Sequence, residues 1–141
     1  MPPVAARSVR RSLHISVHSV IVANPQLRGI EDVEGTYPFD LRASVKAFNF
    51  NRFFWRMIEP AWRERFVRDE EAMYREAGLS PEEADLARHR DWLGMVRYGV
   101  NFFVLEKFAR VLRMSNPEVY AKMRGESFEE FLATRNVPGA R

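Results

Sequence analysis

Residues 90–113, RDWLGMVRYGVNFFVLEKFARVLR, decide the fold. From Val100 to Leu112 nearly every position is apolar, apart from Asn101 and the charged residues Glu106, Lys107 and Arg110, with Arg113 just beyond. At a helical period those four charges share one narrow stripe, so the rest of the surface must be covered by other elements. This is a central helix. Asn101 lies about half a turn from the stripe, where a buried amide needs hydrogen-bond partners. Gly99 offers a second reading, in which one helix ends there and Asn101 caps the next. In a third, Asn101 belongs to a functional surface. In each case Gly99-Val100-Asn101 marks a junction.

On the N-terminal side, Ser80-Pro81-Glu82-Glu83 combines a Ser N-cap, Pro at the first helical position and a Glu that closes a capping box. A helix therefore runs from Pro81 through Leu86 and Ala87, with a break expected around His89 to Asp91. Further upstream, Phe50, Phe53, Phe54, Met57, Ile58 and Ala61 form the apolar face of an amphipathic helix. Asn49 and Asn51 at its start suit capping. Pro60 interrupts it and begins a helix that runs to Ala77, with Trp62, Phe66 and Met73 toward the core and Gly78 as the stop. Glu31 to Pro38 is a turn-rich loop. On the C-terminal side, Asn116-Pro117 restarts a helix that stops at Gly125, and Ser127 with Glu130 makes another capping box.

These signals predict an all-α fold, a single compact domain of five or six short helices spanning residues 30–141. Residues 1–29 are expected to form an extended or flexible N-terminal arm. The arm contains Arg7, Arg10, Arg11 and Arg28 and no acid. Leu13, Ile15 and Val17 alternate in it with His14, Ser16 and His18, the pattern of a short strand or a segment lying along a partner.

Composition narrows the function. The 141 residues carry 22 Lys+Arg against 19 Asp+Glu, interspersed and without a basic block, so no nucleic-acid partner is expected. Absence of Cys excludes disulfides, thiolate zinc sites, iron–sulfur clusters and a Cys nucleophile, and fits a cytoplasmic location. No apolar run is long enough to span a bilayer. There is no Gly-rich phosphate loop, no H-E-x-x-H and no G-x-S-x-G. Asp69, Glu70 and Glu71 are adjacent and suit a solvated helix start better than acid–base work. No catalytic residue and no metal ligand is assigned to this chain. With 11 Phe and 3 Trp, some rings are left over for an interface or a ligand wall.

Several segments together resemble the LigA-type small (alpha) subunit of the LigAB extradiol dioxygenases, the protocatechuate 4,5-dioxygenase alpha-chain family. They are Gly35-Thr36 with Phe39; Phe48-Asn49-Phe50-Asn51-Arg52-Phe53 followed by Arg63-Glu64-Arg65-Phe66; Arg90-Asp91-Trp92; and Gly99-Val100-Asn101-Phe102-Phe103 with Leu105-Glu106-Lys107. Leu79-Ser80-Pro81 and Ser127-Phe128-Glu129-Glu130-Phe131 extend the likeness over about Ile30 to Pro138. The chain departs from the family where Val100 replaces a Gly and Tyr98 an acid, which leaves the substrate open.

The resemblance implies a large beta subunit that holds Fe(II) through two His and one Glu and binds a catechol, of the protocatechuate or gallate kind, together with O2. The small chain would cap that site, with no cofactor of its own, and would not be catalytic alone. Asn49, Asn51, Phe53, Tyr98, Asn101 and Phe103, grouped at helix ends, are the candidate substrate-pocket or partner-facing residues. Tyr98 is singled out for substrate because a phenol can hydrogen-bond a ring carboxylate or hydroxyl. A helical interaction module of the same fold serving another partner is the alternative.

Overall fold

The computed structural model describes residues 29–135. The expectation for the N-terminal arm lies outside them. Within this span there are nine α-helices and no strand: α1 Leu41–Lys46, α2 Phe48–Trp55, α3 Pro60–Arg68, α4 Glu70–Glu76, α5 Pro81–Arg88, α6 Trp92–Tyr98, α7 Phe102–Val111, α8 Asn116–Arg124 and α9 Phe128–Ala133. The all-α expectation holds, with more and shorter helices than five or six.

The extra helices come from two breaks and from α1, which lies ahead of the first expected helix and is capped by the Asp40 side chain. The run from Ala61 to Ala77 is interrupted at Asp69, whose extended backbone and side chain cap α4 by accepting from the Ala72 N–H. Glu70 and Glu71 then occupy the first turn of α4, as a solvated helix start requires. The central helix is divided at Gly99, which has φ 120° and closes α6, while Asn101 caps α7.

The core is built of rings at helical spacing. Phe53 (1% exposed) stands 5.4 to 5.9 Å from Phe54, Tyr74, Trp62 and Phe66, centroid to centroid, and Phe108 stacks against Phe54 and Trp92. Burying each such ring contributes on the order of 1.5–3 kcal/mol, so this cluster dominates the stability. Trp62, Phe66 and Met73 face the core as expected.

Capping fixes the ends. Ser80 with Glu83 and Ser127 with Glu130 form the two expected capping boxes, and Ser115 with Glu118 forms a third. Its signature, Ser115-x-x-Glu118, stands in the sequence and places the start of α8 one residue before Pro117. The turn between α5 and α6 is held by a polar cluster, in which Arg90 (φ 55°) reaches Glu70 at 2.5 Å and Tyr74 donates to Glu70 at 2.9 Å. Burial raises the Tyr74 phenol above its ordinary value, so it serves this cluster as a protonated donor.

Candidate functional site

Two helix ends meet at the Gly99 junction, and a residue of α2 holds them together. The Asn51 side-chain amide donates to the Gly99 carbonyl at 3.1 Å and to the Ala47 carbonyl at 3.0 Å, while its oxygen accepts from the Asn101 backbone N–H at 2.7 Å. Both amide hydrogens and the carbonyl are thus used. The Asn101 side chain accepts from the Phe103 N–H at 2.9 Å. Of the readings open for Asn101, capping is the one adopted.

Neither Asn49 nor Asn51 caps α2. The helix begins at Phe48 after Ala47, without a side-chain cap. The physical reason is that α1 runs almost into α2, so the carbonyls of α1 occupy the place where a capping amide would act: Ala43 accepts from the Ala47 N–H and Ala47 from the Asn51 N–H. Asn49 is exposed beside Arg52 and Arg56.

Gly99 is required twice over. Its φ of 120° is a conformation L side chains rarely adopt, and a Cβ there would stand 2.8 Å from the Ala43 carbonyl oxygen of α1. Backbone contact between α1 and the junction follows from the missing side chain.

The surface beside this junction is apolar. Helix α1 has no buried residue, and Leu41 (77% exposed), Val45 (76%) and Phe48 (60%) lie at i, i+4 and i+7. Trp55 continues that spacing one heptad further, with the Lys107 ammonium 5.4 Å from its ring. Phe103 (72% exposed) projects from the first turn of α7. Tyr37, Phe39, Val96, Asn101 and Phe103 line a cleft of about 230 Å³ there. That is below the roughly 300 Å³ at which closed small-molecule pockets begin, so the cleft forms a wall and not a whole pocket.

The six candidate residues therefore separate. Asn101 and Phe103 share the cleft, Asn51 supports it from below and Asn49 lies outside it. Phe53 corrects the expectation of a contact surface: its ring is enclosed by four others and offers nothing to a partner. Tyr98 packs edge-on against Phe50, with the Lys46 ammonium 4.0 Å above its ring. Burial, reinforced by the nearby Glu83 carboxylate, raises the Tyr98 pKa. Leu41, Val45 and Phe48, absent from the candidate set, are all largely exposed. Their spacing was the signal.

Among the described residues no three His, Asp or Glu side chains are grouped to hold a metal ion. His89, between two arginines, is exposed with Nδ1 2.9 Å from the Asp85 carbonyl. The described residues offer no donor set that fits an iron site. No helix among them is long and apolar enough to cross a membrane.

Comparison with known proteins places this geometry. The sequence model of the family described as "Aromatic-ring-opening dioxygenase LigAB, LigA subunit" matches residues 50–136. A gallate dioxygenase of Pseudomonas putida is 59% identical over 111 residues, which cover 79% of this chain and 33% of that protein. The chain thus corresponds to about a third of the length of this relative.

Proposed function

The chain belongs to the LigA family of aromatic-ring-opening dioxygenase subunits, and from that premise we propose that it is the small subunit of a two-subunit extradiol dioxygenase. In this reading it caps an Fe(II) site held by a large partner subunit and shapes the pocket for a gallate-like or protocatechuate-like catechol. The iron supplies the activation of the diphenol and O2 when bound. The residues of this chain bind the partner, exclude bulk water from the mouth of the site and press the ring into one orientation.

The exposed apolar face around the Asn51–Asn101 bond carries this reading. A six-residue helix with no fully buried residue is marginal in water, and Leu41 and Val45 on it, with Phe48 at the start of α2, cost solubility unless something covers them. A flat, aromatic, half-formed wall is what a lid presents. The relative supports it too, because a protein named gallate dioxygenase contains a stretch 59% identical to this chain that makes up 33% of its length.

The test is to co-express the chain with the product of the neighbouring reading frame and follow ring opening of gallate and protocatechuate under Fe(II), with and without this chain. Activity that needs both chains is the expected result. If the neighbour cleaves equally well alone, or the two do not associate, the chain is a helical interaction module of the LigA fold serving another partner.

A further inference from the structure

Beyond the apolar face, two adjoining clefts between α3 and α7 share Arg63, Arg110 and Val111 and form one trough. Four cations line it: Arg63, Lys107, Arg110 and Arg113, with Glu64 and Glu106 between them. Among the described residues none of the four forms an ion pair; other surface cations such as Arg68 and Lys122 are unpaired too, but here four converge from α3 and the end of α7 on one trough. The Arg63 guanidinium is held by the carbonyls of Met57 and Ile58, at 2.8 and 2.9 Å, which fixes it without neutralising it. Glu106 is occupied by the Asn116 amide at 2.6 Å.

A helix C-terminus favours one or two cations, so its dipole accounts for Arg110 and Arg113. It does not account for Arg63 on a second helix or for Lys107 a turn earlier. The trough also has apolar edges, Ile58 (48% exposed) and Val67 (70% exposed), and through Lys107 it is continuous with Trp55. Exposed Trp and Arg beside apolar side chains are the composition of an interface centre. Arg110 and Arg113 are solvent-facing, unlike the enclosed polar groups of a small-molecule pocket. The two glutamates among the cations disfavour a phosphate backbone, which presents uniform negative charge.

We propose that the α3–α7 trough is an electrostatic docking surface for a carboxylate-bearing segment of the large partner subunit, extending the apolar contact around Phe103. This rests on the two-subunit reading above. Desolvated at the contact, Arg110 and Arg113 would each meet a partner carboxylate, which raises the association rate and fixes the register of the lid.

The experiment measures association of this chain with the co-expressed large subunit, at salt concentrations from about 0.05 to 0.3 M. Wild type is compared with the double variant Arg110→Glu/Arg113→Glu and with Lys122→Glu on α8, an exposed cation outside the trough. The double variant is expected to bind about tenfold or more weakly with a flattened salt dependence, while Lys122→Glu changes binding less than about twofold. Circular dichroism confirms that each variant folds. A tight complex whose affinity and salt slope ignore the double substitution overturns the trough and leaves the subunit reading standing. Failure of wild type to bind the large subunit overturns both. Retention of duplex DNA by wild type but not by the double variant also overturns it, in favour of a nucleic-acid surface.

Discussion

Asn51 and Asn101, 50 residues apart in sequence, share a 2.7 Å hydrogen bond in which the Asn51 side chain receives the first free N–H of α7. The same amide holds the last carbonyl of the Gly99 turn, so one side chain joins the end of α6, the start of α7 and the body of α2.

Asn51→Ala removes all three bonds and leaves the Asn101 N–H and the Gly99 carbonyl part-buried without partners. A loss of about 2–3 kcal/mol is expected in urea unfolding. Asn51→Asp keeps the acceptor for Asn101 and loses both donors, so it should fall between. An alanine variant within about 0.5 kcal/mol of wild type would show that water replaces the amide.

Gly99→Ala places a methyl group 2.8 Å from the Ala43 carbonyl in a backbone conformation that disfavours any side chain. Displacement of α1 is the expected relief, at a cost of about 2 kcal/mol or more. Limited proteolysis should then cut within residues 37–47 faster than in wild type. Unchanged protection there would mean that the junction, and not α1, gives way.

Phe103 and Phe53 separate surface from core. Phe103→Ala should leave the stability of the isolated chain within about 0.5 kcal/mol and lower ring-opening activity of the proposed two-chain enzyme, most visibly in KM. Phe53→Ala should destabilise the isolated chain by about 3–5 kcal/mol. Equal stability losses in both variants would contradict the exposure of Phe103.

Tyr98→Phe keeps the ring against Phe50 and under Lys46 and removes only the hydroxyl. Stability within about 0.5 kcal/mol of wild type, with unchanged KM for gallate in the proposed two-chain enzyme, is expected. A rise in KM without loss of stability would return Tyr98 to the substrate pocket.

Acid should loosen the C-terminal helices. Hydrogen bonds from Ser115 hold the Glu118 carboxyl below the ordinary range, and those from Ser127 do the same for Glu130. A carboxylate with a depressed folded-state pKa contributes stability that is present above the unfolded value and is lost as pH falls through the folded one. Thermal melts should therefore drop on acidification below about pH 4.5, and Glu118→Gln/Glu130→Gln should reduce that dependence. A melting temperature with the same pH slope in wild type and variant would assign the acid sensitivity elsewhere.

What the sequence determined was local. The two capping boxes at Ser80 and Ser127, Pro60 at a helix start, the stops at Gly78 and Gly125, and the core-facing Trp62, Phe66 and Met73 all depend on contacts within about four residues or on periodicity alone. The resemblance to the LigA family was legible for the same reason, since its segments are runs of adjacent residues. Tertiary structure decided the rest. Whether Asn51 caps its own helix or bridges to Gly99 depends on how closely α1 runs into α2. Phe53 and Phe48 stand in one run of aromatics, yet one is enclosed and the other exposed, because only the packing of α3, α4 and α7 defines which face of α2 is inside. Periodicity marks a face. The elements that meet it settle what the face does.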